Sequence, residues 1–259
     1  MTTTKTRRAL PRGLCYLCGG SFAKNTLGRH LEKCRENQAA ETSAGGRKPT
    51  SRTLFHLVVE GRDAPNYFLH LDVRGDATLA NLDQFLRDAW LECCGHLSAF
   101  TIGDTRYMWE PPGGGFDDLI SDEDESLDVP LADVLRPGLT FAHEYDFGTT
   151  TELKLRVLGE REEPVPARTP KVRVLARNEP PEVPCDKCGK PATQICAECV
   201  YEGEGFLCPA HARKHPCGPD MLLPLVNSPR AGMCGYTGPE GKDPAAPPPQ
   251  LAPRGSAAS

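Results

Sequence analysis

The chain has 259 residues, 39% of them hydrophobic and 7% aromatic, with 12 cysteines, 25 glycines, 25 prolines and a formal charge of -5. No apolar run reaches the ~18 residues that a membrane span requires, and the opening "MTTTKTRRALPRG" lacks the apolar core of a secretory signal. The expected setting is therefore cytoplasmic, without membrane contact. There, cysteines interleaved with histidines read as metal ligands in preference to disulfides.

Charge divides the chain. Residues 1–52 hold 11 Lys/Arg against 3 Asp/Glu, a net +8, whereas residues 53–178 carry -11 and residues 179–259 carry -2. A polyanion would be attracted to the first region and repelled by the second.

Residues 1–12 read as a disordered basic tail. Residues 13–36 follow, with "CYLCGGSFAKNTLGRHLEKC" spacing Cys15, Cys18, His30 and Cys34 as Cys-x2-Cys-x11-His-x3-Cys. Two thiolates from a turn, with a histidine and a thiolate at i and i+4 on a helix, close a tetrahedral zinc site. The segment resembles the ββα zinc finger, with Phe22 and Leu27 as its small core, although its last ligand is Cys and its central span is one residue short. That resemblance starts the helix near Lys24 and sets Ala23, Thr26 and Arg29 where such fingers face bases. Lys24, Thr26 and Arg29 are thus the candidate nucleic-acid contacts within residues 1–52. The competing reading is a metal-stapled minidomain that docks on protein. Residues 37–52 read as a flexible linker.

From residue 53 the pattern alternates. Phe55, Leu57 and Val59, then Leu69, Leu71 and Val73 beyond "DAPN", predict a β-hairpin. This alternation leaves His70 and Asp72 on the opposite face as a solvated pair. "TLANLDQFLRDAWLECCG" predicts a helix capped by Thr78 and stopped by Gly95, with Cys93 in its apolar stripe. Strands are expected at "LSAFTI", "TRYMWE", "LTFAHEYDFG", "TELKLRVL" and "KVRVLA", with "REEPVPARTPK" as an extended turn before the last. The expected fold class is α+β: a central antiparallel sheet with a packed helix over residues 53–178, flanked by small zinc-stabilised modules.

"LDQFLRDAWLECCGHLSAFTI", "HEYDFGTTTEL" and "LLPLVNSPRAGMCGYTG" resemble the plasmid pRiA4b ORF-3-like family, an α+β domain of bacteria, archaea and their mobile elements. The resemblance implies a mobile-element context, with the zinc segment and "NSPR" as an extension. It transfers no catalytic residues.

Within this domain His143 shares a face with Phe141, Tyr145 and Phe147 and reads as a hydrogen-bonded core imidazole. Cys93, Cys94 and His96 read against metal, because adjacent cysteines cannot make the usual knuckle. "PPGGGFDD" lacks the Lys-Ser/Thr of a phosphate loop. "FDDLISDEDESLD" lacks the oxygen pattern of a calcium loop and reads as solvated.

Residues 179–238 concentrate donors: Cys185-x2-Cys188-x7-Cys196-x2-Cys199-x8-Cys208-x2-His211-x3-His215-x-Cys217. Eight donors suit two closed tetrahedral zinc sites. One scheme gives Cys185, Cys188, Cys196 and Cys199 to a single ion. In the favoured alternating scheme Cys185, Cys188, Cys208 and His211 hold one ion, while Cys196, Cys199, His215 and Cys217 hold the other. The pattern resembles a cross-braced B-box, with an unusually tight ending that keeps Cys234 as a rival to Cys217. Residues 239–259, rich in proline, read as disordered.

Three structural zinc ions are therefore expected. The functional expectation is a noncatalytic interaction protein that contacts nucleic acid through residues 1–52 or a protein partner through the C-terminal module. The alternative is an enzyme or small-ligand receptor using the central domain.

Overall fold

The structure, a computed structural model, describes residues 10–41, 50–109, 123–166 and 168–251. In chain order, β1 (Arg12–Cys15) and β2 (Ser21–Ala23) form a short hairpin leading into α1 (Lys24–Glu41). The middle of the chain contributes β3 (Thr50–Gly61), β4 (Phe68–Arg74), α2 (Leu79–Leu86), β5 (Ser98–Ile102), β6 (Thr105–Met108), β7 (Glu125–Ser126), α3 (Leu131–Val134), β8 (Thr140–Tyr145), β9 (Thr151–Val165) and β10 (Val172–Asn178). These strands make one ten-stranded sheet in the order β2-β1-β10-β4-β3-β9-β8-β5-β6-β7. All its pairings are antiparallel except β6 with β7, so the fold is α+β around a large mixed sheet.

The alternation in β3 and β4 puts Phe55, Leu57, Val59, Leu69, Leu71 and Val73 into the main core. There they meet Leu79, Leu82 and Leu86 of α2. Thr78 caps α2 through a capping box in which its hydroxyl accepts from the Asn81 N–H and the Asn81 side chain accepts from the Thr78 N–H. The helix does not run to Gly95. It widens into one π-turn, Arg87–Leu91, and then leaves the helical path at Glu92. Arg87, buried inside that turn, folds back on Asp83 at 2.7 Å, and Asp83 also accepts from Ser98 and from His143. His143 is thus a hydrogen-bonded core imidazole.

The opposite face of the sheet is not solvated. His70 and Asp72 are both 3% exposed, because α1 lies over them. Leu27 and Leu31 of α1 pack with Phe68, Leu175 and Ala176 in a second core. Arg35 of α1 donates to Asp72, which also accepts from Arg161 and Arg173. His56 and His70 meet ring to ring, Nε2 to Nδ1, at 3.0 Å. Simple alternation assigns the second face to water; a helix from elsewhere in the chain covers it.

Two connections differ from expectation. The linker expected from residue 37 is helix through Glu41, and β3 already begins at Thr50. "REEPV" is not a turn but the end of β9, paired with Thr50–Leu54. β1 pairs with β10, so the N-terminal hairpin extends the central sheet.

The C-terminal part adds β11 (Gln194–Cys196), β12 (Phe206–Leu207), α4 (Pro209–Ala212) and β13 (Leu222–Pro224), with the strands in the order β12-β11-β13. The stretch beyond residue 239, expected to be disordered, docks on the domain as far as it is described. Ala245 is buried, its carbonyl accepts from the Tyr16 hydroxyl, and Asp243 pairs with Arg177. The basic tail up to residue 9, "PPGGGFDD" and the first part of the acidic run lie outside the described residues, as does the chain after Leu251.

Candidate metal centres

The first centre grows from a tight turn. The Cys15 N–H donates to the Gly20 carbonyl and the Gly19 N–H donates back to the Cys15 carbonyl. This closure needs Gly19 at φ 75°, where a side chain would be strained. Helix α1 starts at Lys24, and His30 with Cys34, one turn apart, faces the turn. The donor atoms of Cys15, Cys18, His30 and Cys34 lie within 4.8 Å of one another. His30 stacks on Phe22 with ring centroids 3.6 Å apart, which fixes the imidazole plane.

The same turn recurs at Cys185, whose N–H donates to the Lys190 carbonyl, while the Gly189 N–H donates to the Cys185 carbonyl. Pro209 opens the one-turn α4, and the His211 N–H donates to the Cys208 carbonyl. These elements gather Cys185, Cys188, Cys208 and His211 within 4.8 Å. A second set, Cys196, Cys199, His215 and Cys217, is gathered to the same tolerance. The alternating arrangement is therefore the one the fold assembles, with Cys217 and not Cys234 in the second set. Asp186 locks the two halves by accepting from the Gly205 and Phe206 N–H groups.

A fourth set was not expected. Cys93, Cys94 and His96 meet Cys234, again within 4.8 Å. Cys93 packs against the main core as its stripe position implied, but not from a helix, because the helical path ends at Leu91, which frees the next residues to turn together. Sequence spacing carried only a weak signal here, a Cys-Cys-x-His run whose partner lies about 140 residues away.

The separations are those of a coordination tetrahedron. With Zn–S near 2.3 Å and Zn–N near 2.0 Å, tetrahedral edges come to about 3.8 Å for S···S and about 3.5 Å for S···N. Observed S···S distances are 3.8 Å for Cys188 to Cys208, 3.7 Å for Cys199 to Cys217 and 3.7 Å for Cys94 to Cys234. S···N distances are 3.4 Å for Cys18 to His30, 3.5 Å for Cys185 to His211 and 3.5 Å for Cys199 to His215. A disulfide would need about 2.05 Å between sulfurs.

Some thiols are pushed up by this packing, while, against burial, hydrogen bonds from backbone N–H groups and neighbouring side chains lower Cys185, Cys196 and Cys208. Burial, followed by the neighbouring Cys15 and Cys18, pushes the Cys34 thiol up to about 12. Hydrogen bonding to Cys217 and then Cys196 pushes Cys199 up to about 12. Three thiolates this close repel one another, and a divalent cation at their centre removes the conflict. Each set can therefore hold a metal ion, and its softness and geometry suit zinc.

The residues expected at a nucleic-acid surface fall on the start of α1. Thr26 and Arg29 are exposed. Lys24 is engaged within the fold, where it donates to Glu60 and to the Pro65 carbonyl.

Fold and clusters together define an α+β sheet protein furnished with Cys/His sets fit for metal ions. Residues 60–192, just over half of the chain, match the family described as Plasmid pRiA4b ORF-3-like protein, and the chain belongs to that family. Among solved structures, it is similar to a protein of unknown function, MM3350, from Methanosarcina mazei Go1. The identity is 16% over 54% of this chain and 76% of that one, with a TM-score of 0.40. No curated protein matches. Among the described residues no helix is long and apolar enough to cross a membrane.

Proposed function

We propose that this member of the family is a zinc-binding, noncatalytic interaction protein. Its structural ions sit at Cys15/Cys18/His30/Cys34, at Cys185/Cys188/Cys208/His211 and at Cys196/Cys199/His215/Cys217. The observation that supports this reading is the gathering of four protein donors per set within 4.8 Å of one another, enough to fill a tetrahedron, which would leave no position for water or substrate. Such ions stabilise folds instead of activating nucleophiles. The C-terminal module has the cross-braced connectivity of a B-box and exposes Tyr201 and Met221, which suits docking on a protein partner. Contact with nucleic acid at the N-terminal end, in a mobile-element setting, would rest on Thr26 and Arg29, because Lys24 is already paired.

The test uses the full-length protein and its Cys18→Ser, Cys188→Ser and Cys199→Ser variants, weighed by native mass spectrometry after exposure to a mild chelator. Each variant should lose one zinc relative to wild type. Retention of every ion by all three would end the reading. For the nucleic-acid contact, anisotropy with mixed-sequence DNA should show affinity falling steeply with salt. No binding at low salt would remove that part.

A second reading has one observation in its favour. A groove of about 520 Å³ runs between α1 and the sheet, lined by Arg29 and Arg156 beside His70, Glu32 and the Lys24–Glu60 pair. This would suit a small anionic ligand. A thermal shift with inorganic phosphate or nucleotides that disappears in Arg156→Ala would support a receptor role.

A further inference from the structure

We infer that Cys93, Cys94, His96 and Cys234 form a fourth closed metal site, which clasps the "NSPRAGMCGY" segment onto the central domain. The inference extends the zinc-binding reading to a cluster that the reading does not need.

Three independent observations carry it. The first is stoichiometric. The chain has 12 cysteines and 7 histidines, and the four sets use all the cysteines, three to a set, with one histidine each. The remaining histidines, His56, His70 and His143, are buried in hydrogen-bonded cores. A chance cluster would not repeat the composition of the other three and leave no thiol over.

The second is geometric. Cys93 and Cys94 sulfurs lie 3.6 Å apart, Cys94 and Cys234 lie 3.7 Å apart, and His96 Nε2 lies 3.3 Å from the Cys234 sulfur. The two sulfur–sulfur separations and the His96–Cys234 separation approach tetrahedral edges, and His96 Nε2 lies closer to the Cys94 sulfur, at 2.9 Å. All this is reached although adjacent cysteines cannot make the usual knuckle turn. The pair manages it because the chain has already left the helix at Glu92, whose backbone is extended.

The third lies in the surroundings. Cys234 holds φ 45°, a left-handed conformation that is strained for a non-glycine residue, and ligation supplies a reason to keep it. Arg230, fully buried, directs Nη2 to the Cys93 sulfur at 3.4 Å and to Asp146 at 2.7 Å. Three thiolates and one divalent cation leave a net charge of -1, and a guanidinium hydrogen-bonded to a ligand sulfur is the outer-shell partner such a centre calls for. The Ser228 hydroxyl, four residues before the Gly-Met stretch, ties the same segment to the Trp90 carbonyl at 2.7 Å.

The site would take a borderline-soft divalent ion in tetrahedral geometry, held by three sulfurs and one nitrogen, with zinc as the probe. Its role is mechanical: the ligands come from two places about 140 residues apart, so the ion closes a long loop.

The experiment compares wild type, Cys234→Ser and Cys94→Ser, all full length, after the same mild chelator treatment. Zinc per chain is read by native mass spectrometry and backbone hydrogen exchange is followed peptide by peptide. The expected result is four ions in wild type and three in each variant. Exchange should rise at least tenfold across residues 227–245 and stay unchanged across residues 185–217. Three ions in wild type and three in both variants would overturn the fourth site. In that case Cys188→Ser, dropping to two, would still uphold the zinc modules. If Cys234→Ser does not fold, Cys94→Ser, whose thiol is exposed, carries the same decision.

Discussion

Replacing Arg230 with methionine should destabilise the central domain, although Arg230 lies outside every strand and helix. The guanidinium is 0% exposed and its partner Asp146 is 4% exposed. Removing one member of a buried pair costs about 3–5 kcal/mol, because the other charge stays buried. The Thr149 carbonyl and the Thr151 hydroxyl lose their donor as well. Asp146 keeps the Gly148 and Thr149 N–H groups, which places the expected loss near the lower end, about 3 kcal/mol. With a urea dependence of about 3 kcal/mol per molar, the midpoint should fall by about 1 M. Fluorescence of Trp90, buried beneath Ser228, reports the transition. Arg230→Met with Asp146→Asn should recover part of the loss, since neither charge is then left alone. A midpoint shift below about 0.2 M would refute the claim that the segment is built into the domain.

Other outcomes follow from the same contacts. Leu27→Ala empties part of the core beneath α1 and should cost about 2–5 kcal/mol, read as a lower urea midpoint; no change would mean that α1 does not pack on the sheet. Burial, then Arg35, holds His56 down to about 3, and burial with His56 holds His70 well below its usual range. The unfolded chain therefore binds more protons between about pH 3 and 6.5, so stability rises with pH across that window and levels above it. Against a His56→Gln variant, whose metal sites titrate alike, the stability advantage of wild type should shrink as pH falls from 7.5 to 5.5; a constant gap would contradict the buried neutral imidazole. Chelation should release hydrogen-exchange protection in β11, β12 and β13 before it does so in α2, because the small sheet buries few large side chains. Simultaneous loss in all of them would show that the parts are not separable.

Local rules made much of this legible. Period-two alternation gave β3 and β4, the Thr78 cap gave the start of α2, and donor spacing gave the cysteine turns at Cys15 and Cys185. What escaped was long-range. Nothing near His70 or Asp72 announces that α1 will cover them, because their shielding comes from distant residues such as Arg35, 37 positions before Asp72. The fourth cluster escaped for the same reason, since an adjacent cysteine pair becomes a donor set only when the fold returns Cys234 to it. The π-turn at Arg87–Leu91 hid in an unbroken helical pattern, which ended the helix short of Cys93.

The central claim is that these donor sets hold tetrahedral zinc, and because every set offers three sulfurs and one nitrogen, a single averaged spectrum tests all of them. X-ray absorption at the zinc edge of the full-length protein should show three sulfurs at about 2.3 Å and one nitrogen at about 2.0 Å per ion. A shell dominated by oxygen or nitrogen, or protein purified from zinc-replete cells with no bound zinc, would contradict it.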